Sequence, residues 1–317
     1  MDKTIIKPGI LREGDTIGII SPASRPADMD LIEKGMDYLR NRGYKPLPGK
    51  HIFEERGYLA GEDFNRLADL NEMFESQKIK AIICSRGGYG APRILDQLDF
   101  KTIRKNPKIF VGYSDITSLS LGIFAKTGLV TFSGPMVAVE MGRGIHPFTE
   151  VSLWEQVSKL NQNIILTNPE DQPLNVLRDG VAEGRLIVGC LSVMMGLFGS
   201  RYMPDVRGAL LVIEDIDEDP YRIDRYFAQL KLAGVFNKIN GLVLGQFIAC
   251  HPKDDSKPSL NLNDVVWDYV KDLAIPIMTN FAYGHGSIKH TLPTGILCRM
   301  NTFQRQLEFL EPVLTDL

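Results

Sequence analysis

Over the first 135 residues, short β-branched runs alternate with stretches whose apolar residues fall at helical spacing, and few folds accept that order. Residues 15–20 are extended in pattern and stop at Ser21-Pro22-Ala23-Ser24. Leu31, Ile32, Met36 and Leu39 mark a helix closed by Gly43, and an extended piece follows near Tyr44. Phe64, Leu67, Leu70 and Phe74 mark the next helix. Residues 80–84 read as a strand running into Ser85-Arg86-Gly87-Gly88-Tyr89-Gly90, and Pro92 suits the first turn of the helix behind it. Residues 108–111 and 129–132 complete the set. Strands alternating with helices predict a parallel sheet covered on both faces. Ligands of such sheets gather at the carboxyl ends of the strands. Here those ends are the loops at Ser21, 87–90, Ser114 and Ser133.

One of those ends carries chemistry. In Lys108-Ile109-Phe110-Val111-Gly112-Tyr113-Ser114-Asp115-Ile116-Thr117-Ser118-Leu119 the apolar run breaks at Gly112. Helical spacing (Ile116, Leu119, Ile123, Phe124) then holds until Gly128. Ser114 therefore stands where a strand turns sharply into a helix. A serine hydroxyl is a poor nucleophile until a base takes its proton, and the free N–H groups that open a helix can hold an oxyanion. The stretch matches Gly-x-Ser-x-Gly only in part, because Ile116 replaces the second glycine. A plain helix cap at Ser114 or Asp115 is the competing reading.

A nucleophilic serine needs a base and an acid to orient it. Of the five histidines, His51, His146 and His251 read as solvated loop residues. His285 lies between Gly284 and Gly286 shortly after an extended segment and is the candidate base, with His290 second. Glu214 directly follows the apolar run 210–213, and a carboxylate capping a buried strand must be paired. Asp215, Asp217, Glu218 and Asp219 behind it read as an acidic turn leading to a helix start at Asp219-Pro220. The N–H of Asp115 and the loop around Gly88 are candidate oxyanion donors. A phosphate cradle is the rival for that loop, but Gly87-Gly88-Tyr89-Gly90 is not Gly-x-Gly-x-x-Gly and no Gly-Lys-Ser/Thr follows.

Residues 1–140 are thus read as an α/β nucleophile domain, 141–180 as a linker with Pro147, Pro169, Pro173 and a helix near Trp154, and 181–317 as a second domain. That domain has strand-like runs at 183–190, 208–213 and 241–245, helices through Ile223-Phe227-Leu230 and Val266-Val270, and two short strands near Leu297 and Leu307. Lys+Arg 36 against Asp+Glu 39 offers no electrostatic case for a nucleic-acid partner. The four cysteines are scattered and suit a reducing compartment. The amino terminus shows no apolar core behind a basic start, and no apolar stretch is long enough to span a bilayer. The expectation is a cytoplasmic enzyme that uses no membrane.

Together these segments resemble the L,D-carboxypeptidases, serine peptidases also called muramoyltetrapeptide carboxypeptidases. The marks are Ile19-Ile20-Ser21-Pro22-Ala23-Ser24, Arg86-Gly87-Gly88-Tyr89-Gly90, Gly112-Tyr113-Ser114-Asp115, Gly134-Pro135-Met136, Glu214-Asp215 with Tyr221 and Asp224-Arg225, and Gly284-His285 leading to Leu292-Pro293-Thr294-Gly295. The resemblance implies a flavodoxin-like amino-terminal domain and a smaller, β-rich α/β carboxy-terminal domain, commonly in a homodimer. It implies a triad of Ser114, His285 and Glu214, oxyanion donors at Gly88 and Asp115, and no metal or organic cofactor. It implies release of D-alanine from murein tetrapeptide during cell-wall recycling; a branch of the family instead hydrolyses microcin C-type peptide–nucleotide conjugates and confers self-immunity. The terminal carboxylate of a peptide needs a cation, for which Arg86 is the candidate. Many members carry His where this chain has Ser133, and Gly-Gly-Asn-Leu where it has Val188-Gly189-Cys190-Leu191. An α/β-hydrolase esterase and a non-catalytic α/β ligand-binding module are the alternatives outside the family.

Overall fold

The computed structural model describes residues 4–161, 163–254 and 256–316. Met1 to Lys3 of the stretch read for a leader, Gln162 of the expected linker and Asp255 lie outside the described residues. The first half runs β1 (Thr16–Ile20), α1 (Asp30–Asn41), β2 (Lys45–Pro48), α2 (Asp63–Glu75), β3 (Ile79–Cys84), α3 (Phe100–Lys105), β4 (Ile109–Val111), α4 (Thr117–Thr127) and β5 (Thr131–Ser133). These strands are all parallel, in the order β5-β4-β3-β1-β2. That is the flavodoxin-like order. β3 shows why both faces are covered. Ala81 and Ile83 belong to an apolar cluster with Leu31, Ile32 and Met36 of α1, whereas Ile82 and Cys84 belong to one with Leu70, Met73 and Phe74 of α2 and Leu119 of α4. A strand buried on both sides reads as a continuous apolar run, without alternation.

The second half runs α5 (Pro147–Val157), β6 (Ile165–Leu166), β7 (Asn175–Arg178), β8 (Val181–Cys190), α6 (Leu191–Met195), β9 (Leu210–Ile216), α7 (Pro220–Leu232), β10 (Gly241–Ile248), α8 (Leu262–Val270), β11 (Ile277–Thr279), β12 (Leu292–Thr294), β13 (Leu297–Asn301) and β14 (Gln306–Phe309). Eight of these strands form a second sheet in the order β6-β14-β13-β8-β9-β10-β11-β7. Its centre, β8 to β11, is parallel and its flanks are antiparallel. The molecule is two α/β domains, the second of them β-rich.

Two features depart from the sequence reading. The segment expected to be a linker does carry its helix at Trp154, in α5, but it also supplies β6 and β7, the two edges of the second sheet. β6 has two residues and β7 four, too short to leave a periodic signal. β12, which the sequence does not mark as a strand, crosses back to the first sheet and pairs antiparallel with β5 through Leu292–Ser133, Pro293–Phe132 and Thr294–Thr131. Pro293 argues against a strand by pattern; at a sheet edge its missing N–H is tolerated. Both apolar clusters draw residues from both domains, so the two domains pack on each other through shared apolar cores. Among the described residues no helix is long and apolar enough to cross a membrane.

Candidate active site

Ser114 opens a single 3-10 turn, Ser114–Ile116, that runs directly into α4. Its φ is +62°. A residue with a Cβ in that left-handed region costs about 1–3 kcal/mol, and such strain concentrates at functional sites. The turn closes on glycines. A Cβ at Gly112 would lie 2.7 Å from Ile116 Cγ2, so the side chain that replaces the second motif glycine fits over the first. A Cβ at Gly87 would lie 2.7 Å from Ser114 Cβ and 3.0 Å from its Oγ. Gly87→Ala is therefore expected to displace the hydroxyl by about an ångström and to lower turnover about 100-fold. Steady-state kinetics beside a thermal melt tests this, because a general folding defect would show in both.

His285 Nδ1 lies 2.7 Å from Glu214 Oε2. The carboxylate is 0% exposed; Glu214 does not cap β9 but is the fifth of its seven residues. Two glycines make its socket: a Cβ at Gly284 would lie 2.8 Å from Oε2, and one at Gly245 would lie 3.2 Å from the glutamate's own Cβ. Oε1 is buried without a hydrogen-bond partner among the described residues, so His285 is the one side chain that answers this charge. Such an arrangement fixes the imidazole tautomer and leaves Nε2 for a reacting group.

Ser114 and His285 line one cleft of about 230 Å³, with Gly87, Gly88, Tyr113, Met136, Arg86 and Arg143 around them. The three residues singled out from sequence thus converge at the carboxyl ends of the strands. Gly88 has φ +107° and packs on Ser24, whose Oγ would be 2.5 Å from a Cβ there. The loop behind it is pinned twice. Asp115 Oδ2 accepts from the Ala91 N–H at 2.8 Å, and buried Arg66 donates to Gly90 O at 3.0 Å. The residue whose amide is one candidate oxyanion donor thus also holds, through its side chain, the loop that carries the other.

Burial pushes the Asp115 carboxyl up from 3.8 to about 6. The folded protein holds that proton more tightly than the unfolded chain, so this group favours the fold at low pH and the contribution is lost as pH rises through 6. Asp115→Asn does not titrate. Its stability relative to the parent is expected to rise by about 2 kcal/mol between pH 4.5 and pH 7.5, measured by urea unfolding at both.

The other histidines fall away. His290, the second candidate base, is buried between Phe148 and Phe281, its Nε2 lies 2.9 Å from Thr167 O, and burial lowers its pKa to about 4. His51 is not simply solvated: its Nδ1 lies 2.7 Å from Asp69. His146 caps α5, and His251 is exposed. Arg86 donates to Arg25 O at 3.2 Å and faces the cleft. Arg143, which lines the same cleft, was not expected, because a lone arginine in a Gly-Arg-Gly stretch carries no pattern. Also unforeseen is a buried network of Tyr113, Glu140 and Lys289 behind the cleft. A carboxylate inside the apolar run 136–141 was the one available signal for it. Among the described residues no group of three or more His, Cys, Asp or Glu is placed to hold a metal ion.

Models of the LD-carboxypeptidase N-terminal and C-terminal domains match residues 17–134 and 183–300. The "Probable murein peptide carboxypeptidase" of Bacillus subtilis (strain 168) is 42% identical over 301 residues, covering 94% of this chain and 92% of that one. This chain belongs to the LD-carboxypeptidase family. As a member of that family it is a serine hydrolase acting on amide bonds of small peptide or peptide–nucleotide substrates. Among solved structures, the fold is similar to MccF in complex with glutamyl sulfamoyl guanosine, with TM-score 0.89 at 29% identity over 98% of this chain and 99% of that one. It is also similar to the muramoyltetrapeptide carboxypeptidase of Oxalobacter formigenes, with TM-score 0.80 at 30% identity over 92% and 97% of the two chains. Within the family pattern, Ser133 donates or accepts a 2.7 Å bond with Tyr283 OH, and the Cys190 N–H donates to Thr117 Oγ1 at 3.1 Å. The Ser133 departure therefore serves a contact between the domains, whereas the bond at Cys190 is made by the backbone and its thiol lies 3.4 Å from Asp215 Oδ1 within the second domain.

Proposed function

We propose that the protein is a serine-type L,D-carboxypeptidase that removes a terminal D-amino acid, D-alanine in the case of murein tetrapeptide. The observation that carries this reading is the placement of Ser114 and His285 in one small cleft, with buried Glu214 on the far side of the imidazole. His285 Nε2 takes the Ser114 proton as Oγ attacks the carbonyl carbon of the L-centre. The N–H groups of Gly88 and Asp115 hold the oxyanion. Collapse breaks the C–N bond, and His285 gives its proton to the leaving amine. Water, deprotonated by the same imidazole, then attacks the acyl ester, and Ser114 regains its proton. Arg86 and Arg143 face the terminal carboxylate of the leaving residue. A cleft of about 230 Å³ is below the ~300–1,000 Å³ usual for ligand pockets and suits a leaving group the size of alanine. Four buried free thiols are consistent with work in the cytoplasm.

A peptide–nucleotide amide hydrolase is the second reading. The likeness to the nucleotide-analogue complex of MccF favours it, at higher TM-score and coverage than the carboxypeptidase structure. The identity to the Bacillus protein and the size of the cleft favour the first. Mass spectrometry decides. Tripeptide and free D-alanine from murein tetrapeptide are expected; an intact tetrapeptide beside a cleaved aminoacyl-nucleotide conjugate would replace the first reading with the second.

A further inference from the structure

Nucleophile and base come from different domains, Ser114 from the turn before α4 and His285 from the loop between β11 and β12. Productive geometry tolerates errors of about 0.5 Å, so something must register one loop against the other. A buried chain of side chains spans the gap. Lys289, four residues after His285 on the same loop, is 2% exposed and pairs with Glu140 Oε1. Its Nζ also lies 4.0 Å from the centroid of the Tyr113 ring. Tyr113 OH donates to the same Glu140 Oε1 at 2.8 Å, while Oε2 accepts from the Met136 N–H at 2.8 Å. Burial holds the Tyr113 phenol well above its usual pKa, so it stays a donor. The Tyr113 ring then meets the His285 ring edge to face, with centroids 5.0 Å apart at 71°. Tyr113 immediately precedes Ser114. The Lys289 N–H donates to Thr149 Oγ1 at 2.9 Å, which anchors the far end of the loop.

A buried ion pair stabilises a fold little compared with apolar side chains of the same volume. This one connects the turn at 136–143, which walls the cleft, to the loop that bears the base. We infer that Glu140, Lys289 and Tyr113 form a positioning latch that sets His285 against Ser114. Glu140 and Lys289 do not line the cleft, and Tyr113 enters it with its ring against the imidazole. The imidazole is held from two sides: Glu214 fixes Nδ1, and the latch fixes the ring plane and the loop. The inference rests on the triad proposed above.

The test is the rate at which a fluorophosphonate labels Ser114, resolved into a maximal rate and a half-saturating concentration. Tyr113→Phe keeps the ring beside His285 and cuts its tie to Glu140. Its maximal rate is expected to fall about tenfold, with half-saturation changed less than twofold and cooperative unfolding retained. Lys289→Met is expected to lose about 100-fold, the scale of an ångström's misplacement, and Lys289→Arg to recover at least tenfold of that. Wild-type rates in Tyr113→Phe and Lys289→Met would overturn the latch. So would a loss confined to half-saturation, a loss that follows unfolding in both variants, or no recovery with arginine. A wild-type protein that the probe leaves unlabelled would sink the triad and the latch together; a labelled parent with unaffected variants sinks the latch alone.

Discussion

Ser114→Ala is expected to lower turnover by about 10⁴ or more while leaving substrate affinity near that of the parent. The hydroxyl is the atom that forms the covalent bond, and no neighbouring side chain in the cleft offers another aliphatic hydroxyl or a thiol: the remaining wall is glycine, arginine, tyrosine, methionine, alanine, valine, proline and His285 itself. What survives is the binding contribution of the arginines and the oxyanion donors. Stability supplies a second readout. Alanine keeps the Cβ at φ +62° and so keeps the strain, whereas Ser114→Gly releases it. The glycine variant is therefore expected to be the more stable of the two by about 1 kcal/mol, and equally inactive. Hydrolysis by Ser114→Ala at more than a hundredth of the parent rate would remove serine from the mechanism.

Glu214→Gln is expected to be nearly as damaging, at about 10⁴-fold in turnover, with the fold intact. The two side chains have the same shape, and the socket left by Gly245 and Gly284 admits nothing larger. The amide differs in one respect that matters. Turned with its NH₂ toward His285, it donates to Nδ1 and forces the proton onto Nε2, the nitrogen that must accept from Ser114. Because the native carboxylate is wholly buried with one oxygen unpartnered, the neutral amide is not expected to lower the melting temperature. Labelling by a fluorophosphonate should fall in parallel with turnover, since both need the serine proton removed. A glutamine variant that is labelled at the parent rate would show that Glu214 does not orient the base.

The sequence made some of this legible and hid the rest for physical reasons. β3 is apolar at five of its six positions because both of its faces are covered, and it is plain in the sequence. The turn at Ser114 is readable because a broken strand followed by helical spacing marks a strand-to-helix junction, although the stretch alone also allows a plain helix cap. Glu214 and His285 were reachable by elimination among few candidates, and the family resemblance joined them. β6 has two residues and α6 five, below any periodicity. β12 is disguised by Pro293. Arg143, Lys289 and Glu140 depend on which loops meet in space, and nothing local to any of them records that meeting.

β12 also decides how a substrate can enter. A strand sewn into the neighbouring layer works as a stitch between the halves, and parting Ser114 from His285 like a clam shell would tear the rungs at Leu292, Pro293 and Thr294 from β5. A substrate must therefore fit a cleft whose frame does not gape, with Arg86 and Arg143 in its lining. For the same reason, the first half expressed by itself would bare the flank of β5, and the second, its own eight-stranded sheet complete, would carry β12 as an orphan ribbon.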